Sequence, residues 1–504
     1  MENSVNVNQK TFLGHPMGLF ILFFTELWER FSYYGMRAIL VLYLVSETSG
    51  DNPGMGWSDS SALALYGWYT MFVYLATIPG GILADRYLGQ RKSVMLGGLL
   101  LCFGHGILAV EALWAFYTGL AFIVLGVGCL KGNISTMVGG LYGKDDHNKR
   151  DMGFYIFYMG INIGAAVSAL LVGYIGEVYN WHYGFGLAGI GMAIGQIGYW
   201  KGQKYLTHVG NLIKLEPNKE DKSDNLFLQI FKKTNSLVGF SITALIGIYI
   251  GINGDWNYGL LVIAIAFAIG FAIVVYNDGN KIEKDRILVT YLAFLIVIVF
   301  WGAFEQAGGL MNLYASQKTD LALGSFMVPA SWFQSVNAIY IIIFATLIGS
   351  FWVWWKKKGY EHSSLFKMAV GVVIMGLGFG FMAMAANEVN YDASGNITQK
   401  SAMYWLLLAY LFHTIGELCA SPVALSFITK LAPVKYAAFM MGAYFAATGL
   451  GNKVAGFVGQ LSEGAGEFQV FTGIAIFCTL FGILVLLLLK PLKRLTHGAE
   501  EMDS

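Results

Sequence analysis

Glu26, Glu29, Arg30 and Arg37 place two carboxylates and two guanidinium groups in a segment whose flanks, Leu19 to Phe24 and Ala38 to Val45, are apolar enough to span a bilayer. With Tyr33 they stand at i, i+3, i+4, i+7 and i+11, a spacing that puts all five on one face of a helix. A charged side chain at the bilayer centre costs about 2.5 to 3.5 kcal/mol, so this face must look into protein or into a water-filled cavity. A carboxylate held by a guanidinium that can move away is a device for loading and releasing a proton, and that is the chemistry the cluster suggests. The same charges also satisfy a purely structural reading, as a buried ion-pair network. Lys131, Glu305, Glu417 and Lys453 interrupt other apolar runs. His413, one turn before Glu417, is set aside as a hydrogen-bonded side chain, and Lys453, which belongs to no motif, is expected near the outer surface.

The elements that must position these residues are membrane spans. The 504 residues are 56% hydrophobic and 12% charged, with a mean hydropathy of +0.58, where soluble domains are about 25% charged. Apolar runs near 17–46, 62–84, 93–112, 114–140, 152–178 and 183–202 form a first set of six. A polar stretch follows, including 215–224, then two runs near 236–252 and 257–276 that read as a lipid-facing hairpin. A second set of six lies near 288–315, 327–355, 365–386, 402–430, 436–461 and 467–490. The fold class is therefore an all-α polytopic membrane protein of fourteen transmembrane helices. Its expected divisions are an amino-terminal six-helix bundle (1–202), a cytoplasmic linker with an inserted hairpin (203–285), a carboxy-terminal six-helix bundle (286–495) and a cytoplasmic tail (496–504).

Basic residues set the orientation. Lys10, Arg86, Arg91, Lys92, Lys144, Lys149, Arg150, Lys281, Lys284, Arg286, Lys356 to Lys358, Lys367, Lys430, Lys435, Lys490, Lys493 and Arg494 all fall on one side, against Lys318 and Lys400 on the other, which makes both termini cytoplasmic. No small-residue cleavage site precedes the first run, so the first span is expected to serve as its own insertion signal. A net charge of +1 gives no case for a nucleic-acid partner. Cys102, Cys129, Cys419 and Cys478 lie in apolar runs without paired spacing and read as free thiols, and no metal-ligand constellation or nucleophile motif argues for an enzyme.

Gly81-Ile-Leu-Ala-Asp85-Arg86-Tyr-Leu-Gly89-Gln-Arg91-Lys92 matches the short loop motif of the major facilitator superfamily. Its glycines allow a tight turn, and Asp85 can pair with basic groups or a helix end, a conformational role. Glu26-Leu-Trp-Glu29-Arg30-Phe31, Phe157-Tyr-Met-Gly-Ile-Asn162-Ile-Gly164, Phe304-Glu305-Gln-Ala-Gly308 and Gly416-Glu417-Leu-Cys-Ala-Ser421-Pro422 appear in order around it. Over nearly its whole length the chain resembles the proton-dependent oligopeptide transporter family, and the inserted hairpin is similar to that of bacterial members.

The resemblance implies two six-helix bundles in the major facilitator fold, in a bacterial inner membrane. It implies a proton-coupled symporter that imports di- and tripeptides by alternating access, with protons as coupling ion and no cofactor. It implies proton coupling through Glu26, Glu29, Arg30 and Glu305, with Glu417 as ligand of the peptide amino terminus. Arg37 and Lys131 are the candidates for the peptide carboxylate, Arg gripping it bidentately and Lys as a mobile point charge. Asn162 and Asn337 can each donate and accept, which suits a peptide backbone, and Tyr33, Tyr34, Tyr74, Ser421 and Tyr444 complete the expected binding set. For each single Tyr, helix packing accounts for the residue equally well. Tyr444 stands where many relatives carry a Trp, which bears on a side-chain pocket. Arg37 with Glu305 would close an outer gate, and Lys131 with Glu417 an inner one. Two alternatives stay open on the same fold: a carrier of another small anion or drug, such as nitrate, and a membrane receptor.

Overall fold

Met17–Val45 forms one helix, α1, of 29 residues, which at 1.5 Å per residue is roughly 44 Å long against a hydrocarbon core of about 30 Å. The computed structural model describes residues 10–143, 146–212, 234–254, 256–433 and 436–499. The charged stretch 215–224, Lys144, Lys435 and residues 500–504 of the expected tail lie outside the described residues.

Six helical segments follow in the first half. α2 (Asp59–Leu75) starts under a Ser58 cap, runs on as α3 (Thr77–Leu83) and ends in a π turn over Ala84–Leu88. Gly89, at φ +77°, makes the reversal into α4 (Gln90–Leu108), and a Cβ there would lie 2.6 Å from the Leu212 nitrogen, so no other residue fits the turn. α5 (Leu113–Gly140), α6 (His147–Val178) and α7 (Trp181–Gly202) complete this bundle. α8 (Thr234–Asn253) and α9 (Trp256–Asn277) pack mainly on each other, at the position of the expected hairpin.

The second half begins with α10 (Lys281–Phe304), which opens on a capping box between Asn280 and Glu283. The run expected as one span over 288–315 is broken. A 3₁₀ turn over Glu305–Ala307 separates α10 from α11 (Leu310–Lys318), because Gly308 and Gly309 follow and let the chain bend beside Tyr66. A 3₁₀ turn over Ala330–Trp332 leads into α12 (Phe333–Lys357), followed by α13 (Ser364–Glu388), α14 (Tyr404–Leu431, with Pro422 inside it), α15 (Ala437–Ala465), α16 (Glu467–Leu487) and the short α17 (Leu489–Leu495). Helix thus falls at every expected span, and eight helical segments among the described residues are long and apolar enough to cross a membrane. α1 matches them in length but carries four charged side chains.

α1 packs on α6 and α7, and α4 on α5 and α7; across the molecule α13 packs on α14 and α16, and α10 on α15. The two bundles touch through α1 and α11, α2 and α15, and α6 and α12. The α1–α11 and α6–α12 contacts and the start of α2 lie toward the face opposite Met17 and α17, here the distal face, while the face that bears Met17 and α17 is the terminal face, where α3 also touches α15. At the α2–α15 crossing a Cβ on Gly67 would lie 3.0 Å from the Gly456 Cα, so glycine allows the backbones to meet. Loops at the distal face carry short strand pairs, such as Thr319–Asp320 with Ser401–Ala402 in parallel.

Candidate functional site

The charges on α1 form two separate groups. In the first, Arg30 Nε lies 2.8 Å from Glu26 Oε1 and 2.6 Å from Glu29 Oε2. All three residues are buried, and Gly164 of α6 makes room for them, since a Cβ there would meet the Leu27 carbonyl at 2.3 Å. Glu26 Oε2, both Glu29 oxygens and Arg30 Nη2 make no hydrogen bond among the described residues. One guanidinium is therefore shared by two carboxylates that keep acceptor atoms in reserve, an arrangement able to hold a proton without dissolving the cluster.

The second group joins the bundles. Arg37 Nη1 donates to both carboxylate oxygens of Glu305 at 3.0 Å, and the Tyr66 hydroxyl donates to Glu305 Oε2 at 2.8 Å. Glu305 is 3% exposed and Arg37 9%, and the Arg37 guanidinium stacks over the Tyr34 ring at 4.9 Å. The 3₁₀ turn after α10 is what aims Glu305 at α1, and Asn312 in α11 anchors that turn by donating to the Ala38 carbonyl at 2.8 Å.

Lys131 and Glu417 are half-buried. The Lys131 ammonium sits 3.7 Å from the centre of the Tyr74 ring, and Glu417 Oε2 accepts from Asn337 Nδ2 at 2.9 Å while the same amide donates to Thr414 Oγ1 at 3.0 Å. The ion pair expected between Lys131 and Glu417 is not formed: the ammonium lies on the Tyr74 ring and the carboxylate is held by Asn337. Tyr34, Tyr74, Asn337 and Ser421 are partly exposed like them, while Glu26, Glu29, Arg30, Arg37 and Glu305 are sealed in.

Several expected residues are placed differently from the sequence reading. Asn162 is 5% exposed and donates to the Tyr158 carbonyl of its own helix at 3.0 Å, so one of its donors is already used. Tyr33 is buried against the Tyr34 ring, and Tyr444 is buried near Ser421. Asp85 is exposed and makes no ion pair or hydrogen bond among the described residues, because the π turn carries it to the surface of the terminal face; Arg86 is exposed as well. Lys453, expected near the surface, is 2% exposed, with its ammonium 4.2 Å from the Trp68 ring centre, since α15 buries it against α2. His413 is buried on the Phe379 ring, and neither of its nitrogens has a hydrogen-bond partner among the described residues, in place of the hydrogen-bonded role expected for it.

Sequence reasoning missed Tyr66 and Gln334, whose amide donates to the Ala307 carbonyl beside Glu305. Tyr66 precedes Tyr74 by eight residues, about two turns, so a signal existed on that face of α2. Gln334 had none, since its role depends on the break after Phe304.

The comparisons with known proteins agree with one another. The profile of the POT family matches residues 91–472. The chain is 35% identical to the peptide transporter YePEPT of Yersinia enterocolitica, covering 99% of each chain, and 35% identical to the di-/tripeptide transporter of Lactococcus lactis subsp. cremoris, covering 98% of this chain and 99% of that one. Among solved structures it is similar to a mutant of the peptide transporter POT in complex with alafosfalin, with a TM-score of 0.80 and 34% identity over 97% of each chain.

Proposed function

The chain belongs to the POT family, and from that membership and the geometry of its buried charges we propose that it is a symporter moving di- and tripeptides with protons by alternating access. The observation that carries the reading is the sealed contact of Arg37 with Glu305 and Tyr66 between the bundles, set against Lys131 and Glu417, which stay half-buried and apart. Two opposite charges held on different bundles suit the two ends of a zwitterion, since every peptide carries an ammonium and a carboxylate while its side chains vary. Glu417, steadied by Asn337, takes the ammonium. Lys131 takes the carboxylate across the opening, and Arg37 becomes available to it whenever Glu305 lets go. The relatives named as peptide transporters support this assignment of substrate.

Proton coupling follows from competition for guanidinium groups. A proton on Glu305 releases Arg37 and loosens the distal contact; loss of that proton reforms it. Glu26 and Glu29, sharing Arg30, form a second loading point that Lys131 senses from α5. With its distal contacts made and the Lys131–Glu417 pair apart, the structure corresponds to the state open toward the terminal face. The lysine and arginine excess there makes that face cytoplasmic, and the bacterial relatives support a bacterial inner membrane. Fourteen spans and the two-bundle division of the chain are part of the same reading.

Recognition of the two termini is tested by binding. Dialanine should displace a labelled dipeptide from the detergent-solubilised protein, while N-acetyl-dialanine and dialanine amide should each bind at least tenfold more weakly. Glu417→Ala should abolish the penalty for acetylation and Lys131→Ala the penalty for amidation. Equal binding of all three ligands by the wild type would refute terminal recognition.

A further inference from the structure

α6 meets α12 across the distal part of the bundle interface as a ladder of hydrogen bonds in which α12 and the turn before it supply every donor. Ser335 Oγ donates to the Ala166 carbonyl at 2.7 Å, and Trp332 Nε1 to the Leu170 carbonyl at 3.0 Å. One step further, the Glu177 carboxylate accepts the Ala330 N–H at 3.0 Å on one oxygen and the Ser331 N–H at 2.7 Å on the other. These acceptors on α6 advance by four and then seven residues and so stay on one face. Gly173 lies between them, where a Cβ would come 2.1 Å from Ser331 Oγ.

The first N–H groups of a helix have no partner within it and carry the positive end of its dipole. Here a carboxylate from the other bundle satisfies two of them. Glu177 is itself held, because Asn52 Nδ2 donates to the Gly176 and Glu177 carbonyls at 2.7 and 3.2 Å, and the Trp181 N–H donates to Asn52 Oδ1. Seven residues beyond Ala330, on α12, stands Asn337, whose amide holds Glu417. The cap therefore connects closure of the distal face to the placement of the residue assigned to the substrate ammonium. Because donors and acceptor belong to different bundles, the cap cannot survive opening of that face.

We propose that Glu177 is a positioning residue for transport: its carboxylate clamps the start of α12 while the distal face is closed, releases it when that face opens, and thereby sets where Asn337 presents Glu417. The last part rests on the peptide-symport reading; the clamp itself does not.

The test uses full-length protein in liposomes, with its four cysteines replaced by alanine and spin labels at Thr48→Cys and Ser394→Cys, exposed positions on distal loops of the two bundles. Distances are read without substrate, and counterflow of dialanine is measured in parallel. Glu177→Ala should raise the distal-open fraction at least tenfold and raise the counterflow KM by more than kcat falls. Glu177→Gln, isosteric and keeping one carbonyl acceptor, should recover most of both. Gly173→Leu, which leaves the carboxylate but wedges Ser331, should also open the distal face. An unchanged distance distribution in a monodisperse Glu177→Ala protein overturns the proposal, as does opening by Gly173→Leu alone. If the wild type shows no dialanine counterflow, the peptide reading fails while the distances still decide the clamp.

Discussion

Glu305→Gln isolates the charge of the contact that closes the distal face while keeping its shape. In the wild type Arg37 Nη1 reaches both carboxylate oxygens at 3.0 Å and Tyr66 adds a third bond at 2.8 Å, all in a site almost without exposure. Breaking a buried pair by removing one partner costs about 3 to 5 kcal/mol. A glutamine carbonyl recovers part of this as a neutral acceptor, so roughly 2 to 3 kcal/mol remain, which is about 30- to 150-fold in the ratio of closed to open molecules. The open state loses little, because there the Arg37 and Glu305 side chains separate into water. The label pair on Thr48 and Ser394 reads that ratio, and transport reads its consequence: without an ionisable group at 305 a proton gradient has nothing to switch. Gradient-driven dialanine uptake should fall at least 30-fold while counterflow between equal pH values falls much less. A Glu305→Gln protein with the wild-type distance distribution and full driven uptake would rule out Glu305 as the charge that closes the distal face and answers the proton gradient.

Tyr66→Phe removes only the hydroxyl donor to Glu305, a bond to a charged group that contributes about 1.5 to 3 kcal/mol; the distal-open fraction should rise about tenfold or more, with dipeptide affinity in detergent unchanged by competition binding. Gly67→Leu forces α2 away from Gly456 at a crossing where even a Cβ is at 3.0 Å, so the protein should remain folded by size-exclusion chromatography but show distances shifted to the distal-open state. Outside the spans, in the turn between α12 and α13, burial raises the Glu361 carboxyl, but the Lys493 ammonium at 2.8 Å and the Ser363 amide outweigh it and hold the group down at about 2. A depressed carboxylate contributes stability above its ordinary value of 4.5 that is lost as pH falls toward 2. The Tm difference between wild type and Glu361→Gln should therefore be constant near pH 7, modest because the side chain is 35% exposed, and should close between about pH 4.5 and 2.

The helices were legible because twenty-residue apolar runs leave a chain few choices, and the α1 cluster was legible because its spacing follows one helical face. What the sequence could not carry was contact between bundles. Glu177 looks like an ordinary helix-end carboxylate until α12 is seen docked on it, and Lys453 looks like a surface lysine until α15 crosses α2. Asp85 illustrates the opposite error: its motif implied a partner, yet the π turn leaves it exposed in this conformation, since pairs that form in only one state of a moving protein leave no mark of that state in residue order. The separation of Lys131 from Glu417 has the same origin. The broken helix after Phe304 was hidden because Gly308 and Gly309 are unremarkable among 63 glycines.

In the proposed mechanism the buried charges couple a proton gradient to movement of a zwitterionic peptide. The most direct measurement is uptake of labelled dialanine into liposomes holding the purified protein, under an imposed gradient with the inside alkaline, with a pH-sensitive dye trapped inside. Dialanine should accumulate above its external concentration, accompanied by acidification that requires dialanine and vanishes with a protonophore. Equilibration of dialanine to equal concentrations without peptide-dependent acidification would contradict that coupling.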